Sequence, residues 1–395
     1  MSKSQQRLVV GVLLALAGLV SAALLIEGTL RLLTPEWLRF RMSEIDSGQQ
    51  VFFNSDEGWP LECPDGGCYR FTPGSEFKVV TSEYSHSVSI DEYGARVTPD
   101  SIISDARFIP FVGDSFTFGI GVDDNETFVN LLDVVPNVDL LNMGIPGSAL
   151  SHHIDIVERR HAELGAPELY VFVFFLGNDF QNLVEGRNIR EIESVESETN
   201  SSESLYPTLS SQLDWLSSMN EYVLSNYTLR RIYTIQWVRH KLLLLFNQAN
   251  ADLMDPVFLI TRTDRPYLED AMEYFDEELQ RLIATARVLQ FEFAFLVLPD
   301  RHQVNSELLE VKLSYYGISE DKIDTLLPNR AIIDVLNVND ITYLDITECI
   351  SVRNDVKDLY YLRDNHFTSR GHAAAAACMS KEMEQIFAMK LSGAH

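Results

Sequence analysis

Five short apolar runs, separated by stretches of helical periodicity, constrain the fold of this chain more than any other feature. The runs are Phe108 to Val112, Val138 to Asn142, Leu169 to Leu176, Phe293 to Leu298 and Ile341 to Ile346. Runs of this length are typical of parallel strands buried on both faces. Between and after them, helices are predicted at Ser148 to Leu164, Pro266 to Leu289 and Ser369 to Leu391. This alternation predicts an α/β fold, a flavodoxin-like three-layer sandwich around a doubly wound, mostly parallel sheet.

The N-terminal segment predicts a membrane anchor. Residues 8–26 carry no charge, and a helix of that length is close to the thickness of the bilayer core, at about 1.5 Å per residue. A leader at 1–7 would then be cytoplasmic and the large domain extracytoplasmic, on the periplasmic side. A cleaved signal peptide and secretion are the alternative, because Val20-Ser21-Ala22 is an acceptable cleavage site. We favour the anchor, since the apolar run continues beyond that site.

Three further regions follow the predicted anchor. Residues 27–107 form a juxtamembrane segment and a small β-rich entry region with short alternating runs. The main domain is predicted at 108–392, with a helical insertion at about 185–255 that begins with an acidic, serine-rich stretch. The insertion could cap an active site or add a packing layer, and the sequence leaves both open.

Four cysteines are too few for a disulfide scaffold and lack the spacing of a structural zinc site. Cys63 and Cys68 flank a Pro-Asp-Gly-Gly turn, which favours a small disulfide over two free thiols or half a metal site. We expect Cys378 to fill the core within an Ala-rich helix, and Cys349 stays open.

The formal net charge of −27 makes nucleic acid an unfavourable partner, because the field of the protein repels phosphates. A neutral or acetylated glycan or a lipid ester meets no such barrier. The sequence also has no phosphate-binding glycine loop and no histidine-carboxylate cluster, so no cofactor and no metal are predicted.

Polar residues follow three of the predicted strands, at the edge where open parallel sheets bind ligands. Ser115, in Gly113-Asp114-Ser115, comes just before a predicted helix, where backbone amides can stabilise negative charge. Gly147 follows the second strand and Asn178 the third, the latter in Gly177-Asn178-Asp179. A bare amide and an Asn side chain are both suitable donors to an oxyanion, although each motif by itself is equally typical of a turn or a helix cap.

An acid and a base occur together near the C-terminus. Asp364 and His366 are close enough in sequence for the carboxylate to hold the tautomer of the imidazole while the imidazole deprotonates a serine. The other histidines considered, His152, His153, His302 and His372, are given structural or surface roles.

Taken together, the four blocks resemble those of the SGNH/GDSL hydrolase family. The resemblance covers roughly residues 108–182 and 290–390. It implies that Ser115 is the nucleophile, that His366 is the base with Asp364 as its acid, and that Ser115, Gly147 and Asn178 form the oxyanion hole. Two departures stand out: Arg363 occupies the Asp position of the common Asp-x-x-His spacing, and the insertion after Asn178 is long. The shorter Asp-x-His resembles exported, membrane-associated branches of the family.

The expected function is that of a serine esterase or deacetylase acting on a glycan or lipid ester through an acyl-serine intermediate. The alternative is an O-acetyltransferase that modifies an exported polysaccharide, since water and a sugar hydroxyl are both possible acceptors. A second alternative is a catalytically silent, membrane-tethered binding or assembly protein that retains the fold.

Overall fold

The computed structural model describes residues 3–33, 50–53, 56–57, 59–63, 67–81, 83–98, 107–132, 138–185, 232–238, 257, 260–264, 267–362 and 364–392. The chain divides into two compact units. The first comprises Met1–Asp46, Glu203–Leu253 and Val311–Ile318, and the second comprises Ser47–Ser202, Met254–Glu310 and Ser319–His395. Apart from residues 185 and 232–238, the predicted insertion at 185–255 lies outside the described residues.

The first unit contains helix α1 (Lys3–Leu32) and a short helix at 233–238. The Glu27 carboxylate accepts hydrogen bonds from the backbone amides of Tyr233 and Thr234, at 3.1 and 2.8 Å, which satisfies the first amides of the short helix. Arg31 lies 5.0 Å from the centroid of the Tyr233 ring. Glu27 therefore connects these two helices.

The predicted anchor at 8–26 falls within α1. Among the residues described, no helix combines the length and apolar character needed to cross a membrane. Some side chains of the predicted span, including those of Leu8 and Val9, are outside the described part of the chain. The transmembrane helix expected from the sequence is therefore not supported.

The entry region of the second unit consists of short antiparallel strands. They are β1 (Gln50–Phe53), β2 (Asp56–Glu57), β3 (Leu61–Glu62), β4 (Arg70–Phe71), β5 (Glu76–Val80) and β6 (Ser85–Ser89). Strands β2, β1, β5 and β6 form one sheet in that order, and β3 pairs with β4. Along β5 and β6 every second residue is buried, so that Phe77, Val79, His86 and Val88 face the interior.

The main sheet has five parallel strands, β7 (Arg107–Gly113), β8 (Val138–Gly144), β9 (Leu169–Phe175), β10 (Glu292–Leu298) and β11 (Thr342–Asp345). Each coincides with a predicted strand. Their spatial order is β11-β10-β9-β7-β8. Counted within this sheet, the order is 2-1-3-4-5, which is the doubly wound arrangement with its switch point between β7 and β9. The predicted α/β fold with a parallel sheet is confirmed.

Two apolar cores cover the two faces of this sheet, and β9 contributes to both. Its Tyr170, Phe172 and Phe174 belong to one core, together with α4 (Leu150–Arg160), α5 (Tyr267–Leu289) and α8 (Leu327–Val338). Its intervening residues Leu169, Val171, Val173 and Phe175 belong to the other, with α3 (Phe128–Leu131) and α10 (Ser369–Ser392). Burial on both faces explains why β9 is an unbroken apolar run.

The other helices named among the described residues are short. They are α2 (Ser115–Phe118), α6 (Arg301–Val304), α7 (Ser306–Tyr316), α9 (Thr347–Ser351), a helix at 179–185, and 3₁₀ turns at Asp124–Glu126, Glu320–Lys322 and Val356–Asp358.

All four cysteines form disulfides. Cys63 is bonded to Cys68, five positions further along the chain, with Cα atoms 3.8 Å apart. Cys349 on α9 is bonded to Cys378 on α10, with a Cα separation of 5.9 Å. Cys378 packs against the core as expected, and it also forms a disulfide that the sequence did not indicate, because α9 packs against α10 and brings together two residues 29 positions apart.

Candidate active site

The turn after β7 presents Ser115 at the carboxyl edge of the sheet. Asp114 caps α2, with its Oδ1 accepting a hydrogen bond from the Phe116 amide at 2.9 Å. At Gly113 an added Cβ would lie 2.0 Å from Thr117 Oγ1, so this turn requires glycine. The strand therefore passes directly into α2, and Ser115 emerges at the switch point, where α/β sheets bind ligands.

Ser115, His366 and Asp364 form a connected hydrogen-bonded chain. Ser115 Oγ lies 2.8 Å from His366 Nε2 and 3.4 Å from Asp114 Oδ2, so the imidazole is the better placed acceptor of the hydroxyl proton. On the other side of the ring, His366 Nδ1 donates to Asp364 Oδ1. A carboxylate at Nδ1 selects the tautomer with a free lone pair on Nε2. That is the tautomer needed to deprotonate Ser115.

Asp364 and His366 each shift the pKa of the other in the direction that favours its charged form. Burial lowers the pKa of His366, but the adjacent Asp364 carboxylate outweighs that effect and raises the pKa above its usual value. Burial likewise raises the pKa of Asp364, yet the interaction with His366 and hydrogen bonds from His366 and Tyr84 hold it below the ordinary carboxyl range. Asp364 is therefore ionised wherever His366 acts as a base.

Gly147 and Asn178 follow the two strands that flank β7. Gly147 comes after β8, is exposed, and has φ +77°, with open space where a Cβ would be. Asn178 follows β9 and is half-buried at the start of the helix at 179–185. Because β7 lies between β8 and β9 in the sheet, these residues stand on either side of Ser115 at one edge.

Ser148 and Asn142, to which the sequence assigned no role, fix the loops around Ser115. The Ser148 hydroxyl is 2.7 Å from the carbonyl of Ile145 and 2.8 Å from His153 Nε2, which fastens the loop that carries Gly147. The Asn142 amide donates to the Thr117 carbonyl at 2.8 Å and so joins β8 to α2. The sequence signal for these roles is a polar residue at the end of a predicted apolar run, as at Asn142, or in the loop that follows it, as at Ser148.

A second aspartate–histidine pair adjoins the loop that carries Asp364 and His366. Asp300 Oδ1 lies 2.6 Å from His302 Nδ1, and both side chains are buried. Asp300 Oδ2 accepts a hydrogen bond from Asn365 Nδ2 at 2.7 Å. Arg301 donates to the carbonyls of Tyr361 and Leu362, at 3.2 and 3.0 Å. The segment after β10 therefore holds the loop on which Asp364 and His366 lie.

Asp114 and Asp179 are buried acids beneath the nucleophile. Burial raises the pKa of Asp114, and burial together with the charge of Asp114 raises that of Asp179 well above the usual value. Asp179 Oδ2 accepts a hydrogen bond from the Phe175 amide at 2.8 Å, which ties the turn containing Asn178 to the end of β9. Within the described ranges, no group of three or more His, Cys, Asp or Glu side chains is arranged to hold a metal ion.

No protein-family model matches the chain, and no curated protein matches it. Solved structures do match. A lipase/acylhydrolase from Enterococcus faecalis has 12% identity and a TM-score of 0.36, covering 71% of this chain and 96% of its own. A carbohydrate acetylesterase family member from Sinorhizobium meliloti has 8% identity and a TM-score of 0.33, covering 71% and 99%. A psychrotrophic esterase from Pseudoalteromonas sp. has 8% identity and a TM-score of 0.32, covering 71% and 98%.

Other matched structures are described as members of the lipolytic G-D-S-L family, such as one from Veillonella parvula at 12% identity and a TM-score of 0.36, covering 70% of this chain and 97% of its own. The chain resembles SGNH/GDSL hydrolases in its motifs, and structures with those names are among its matches. Within the site itself, Ser115, His366 and Asp364 have the Ser-His-Asp arrangement by which a catalytic triad is recognised.

Proposed function

We propose that the protein is a serine esterase that cleaves an ester through an acyl-Ser115 intermediate. The observation that supports this most directly is the hydrogen bond of 2.8 Å between Ser115 Oγ and His366 Nε2, with Asp364 on the opposite ring nitrogen. A nucleophile, a base and a residue that orients the base are thus connected in the order that acyl transfer needs.

In the proposed reaction His366 Nε2 takes the proton of Ser115 as Oγ bonds to the ester carbonyl carbon. The carbonyl oxygen becomes an oxyanion, for which the amides of Ser115 and Gly147 and the side chain of Asn178 are the proposed donors. When the tetrahedral intermediate collapses, the bond to the alkoxy group breaks, and His366 gives that group its proton. Water deprotonated by His366 then attacks the acyl-enzyme, which releases the acid and regenerates Ser115.

The proposed substrate is an uncharged ester, such as an acetylated glycan or a lipid ester. A net charge of −27 disfavours polyanionic substrates but places no barrier against neutral ones. Disulfides at Cys63–Cys68 and Cys349–Cys378 favour an oxidising, extracytoplasmic location for the enzyme. In that compartment exported glycans and lipids are accessible substrates.

Labelling with a fluorophosphonate tests the nucleophile. Wild-type protein should bind one equivalent, and Ser115→Ala should bind none. Ser380→Ala is the matched control, because Ser380 donates to a carbonyl of its own helix α10 and should leave labelling unchanged. A wild-type protein that is folded but unlabelled would contradict the proposal and favour a non-catalytic binding role.

Hydrolysis of 4-nitrophenyl acetate tests the oxyanion donors. Asn178→Ala should lower kcat by about a hundredfold to a thousandfold, the usual cost of losing one oxyanion donor. Full activity in this variant would remove Asn178 from the role. Measuring free acetate against acetyl transfer to an added oligosaccharide then distinguishes an esterase from an acyltransferase.

A further inference from the structure

The turn between β5 and β6 is fixed by its own hydrogen bonds. Thr81 Oγ1 accepts hydrogen bonds from the amides of Glu83 and Tyr84, at 3.1 and 3.2 Å. The Thr81 amide donates to the Tyr84 carbonyl at 2.8 Å. A side-chain acceptor at the start of a turn is a common way to hold its backbone. Tyr84 consequently leaves the hairpin in a defined direction.

The Tyr84 ring is packed on more than one side. Only 8% of the residue is exposed, and its ring centroid lies 4.7 Å from that of Tyr361 and 5.5 Å from that of His86. The Tyr361 hydroxyl is in turn bonded to the Gly121 carbonyl at 2.7 Å. With its ring confined in this way, Tyr84 can place its hydroxyl at only one position.

That position is the carboxylate of Asp364. The Tyr84 hydroxyl donates to Asp364 Oδ2 at 2.5 Å, while Oδ1 accepts from the ring and the backbone amide of His366. The Asp364 amide donates to Glu83 Oε2 at 2.8 Å. Consecutive residues of the hairpin turn thus hold the acid from its backbone and from the oxygen that His366 does not use.

Building on the proposed esterase function, we propose that Tyr84 is a positioning residue for the reaction, acting through Asp364. Its hydroxyl fixes the rotation of the carboxylate, so that Oδ1 faces His366, and it disperses part of the carboxylate charge. The Asp-x-His spacing places Asp364 in the same loop as His366. Tyr84 and Glu83 of the entry region hold Asp364 from outside that loop. The hairpin β5–β6 is therefore part of the active site.

Removing this hydroxyl has a predictable effect on pH dependence. A carboxylate that has lost a donor attracts the imidazolium more strongly, so Tyr84→Phe should raise the pKa of His366 further. The base would then be deprotonated only at higher pH. Among the residues that the structure describes, the titratable and charged groups around the pair include Tyr84, Glu83, His86, Tyr361, Asp114, Arg301 and His372. Burial lowers the pKa of His372 to about 3. Burial lowers the pKa of His86 to about 3, so it does not titrate in the same range.

The experiment compares kcat, KM and the pH profile of kcat/KM for 4-nitrophenyl acetate in wild-type and Tyr84→Phe protein. We expect kcat to fall by about tenfold, because a hydrogen bond to a charged group is lost, with KM unchanged and the acid limb moved to higher pH. Tyr170→Phe is the matched control. Tyr170 lies in β9, and its hydroxyl is 3.1 Å from His161 Nδ1. The substitution removes a buried hydroxyl that does not touch Asp364. It should leave kcat and the pH profile unchanged.

A double-mutant cycle tests whether Tyr84 acts through Asp364. In an Asp364→Ala background, Tyr84→Phe should have no further effect on kcat. Equal effects in both backgrounds would overturn the proposal, as would an acid limb that stays in place or moves to lower pH in the single variant. Fluorophosphonate labelling separates the two proposals. Wild-type protein that is not labelled would overturn the esterase function. Labelled wild-type protein, together with a Tyr84→Phe variant whose kcat and pH profile equal those of the wild type, would overturn only the role of Tyr84.

Discussion

Two segments of this chain have the same Asp-x-His spacing and the same local geometry. In Asp300-Arg301-His302 the histidine amide donates to Asp300 Oδ1 at 2.8 Å, and Nδ1 lies 2.6 Å from the same oxygen. In Asp364-Asn365-His366 the amide donates to Asp364 Oδ1 at 3.1 Å, and Nδ1 also bonds that oxygen. A spacing of two residues is therefore sufficient to build an oriented imidazole.

The segments differ in their place relative to the sheet. His366 Nε2 lies 2.8 Å from Ser115 Oγ at the end of β7, and the His366 side chain is 18% exposed. His302 lies on α6 behind β10, which is two strands from β7, and is 1% exposed. An oriented imidazole becomes a base only where its second nitrogen reaches a nucleophile, so the spacing alone does not identify a catalytic pair.

The largest expected effect is that of replacing each histidine in turn. His366→Ala should lower kcat by about 10⁴-fold to 10⁶-fold, because no base remains for Ser115. His302→Gln should retain most of the turnover and should instead lower the melting temperature. Comparable losses of kcat in both variants, measured on folded protein, would contradict the division between a catalytic and a supporting pair.

The next effect concerns the acid of the active pair. Asp364→Asn should reduce kcat by about 10⁴-fold, since an amide no longer selects the required tautomer. Because Asp364 raises the pKa of His366, its loss should lower that pKa and move the acid limb of kcat/KM to lower pH. This is opposite to the shift expected for Tyr84→Phe. Profiles that move in the same direction would be inconsistent with these assignments.

Asp300→Ala should act on stability rather than directly on chemistry. It leaves the His302 ring, the His302 amide and the Asn365 side chain without their acceptor, at a cost of about 3 kcal/mol in the free energy of unfolding. Asp358→Ala is the control, because Asp358 forms an exposed pair with Arg370, worth about 0.5 kcal/mol. Urea denaturation measures both. Equal losses in the free energy of unfolding for Asp300→Ala and Asp358→Ala would show that the buried contacts of Asp300 contribute no more to stability than the exposed pair.

This contribution of Asp300 should also depend on pH. Burial alone would raise the pKa of Asp300, but His302 and Asn365 outweigh it and lower the value to about 2. The folded pKa is below the unfolded one, so the stabilisation is complete above the ordinary carboxyl range and is lost as the pH falls through about 2. The stability difference between wild-type and Asp300→Ala protein should therefore shrink as the pH falls through the carboxyl range.

The smallest expected effect is at Asn365, which connects the two segments. Asn365→Ala breaks the hydrogen bond to Asp300 and loosens the loop that carries Asp364 and His366. We expect kcat to fall by about threefold to tenfold, a loss of roughly 1 kcal/mol in transition-state stabilisation. An unchanged kcat would mean that Arg301 and the hairpin turn hold the loop without it.

The positions of the strands could be predicted closely because burial on both faces leaves a clear apolar pattern. Every predicted strand of the main sheet is present, and α5 begins at Tyr267 and ends at Leu289, one residue inside the prediction. The Cys349–Cys378 disulfide was missed, because nothing local indicates which helices pack together. Tyr84 was missed for the same reason: 280 residues separate it from Asp364.

The sequence by itself determined the α/β alternation, the strand-end turns and the pairing of Asp364 with His366, because each of these depends on residues a few positions apart. Only the tertiary structure decided which imidazole contacts Ser115 and which residue of the entry region donates a hydrogen bond to the Asp364 carboxylate. Those contacts depend on the order of strands in the sheet and on a hairpin packed from elsewhere in the chain. Neither is encoded in any short stretch, because both arise from how buried surfaces fit together.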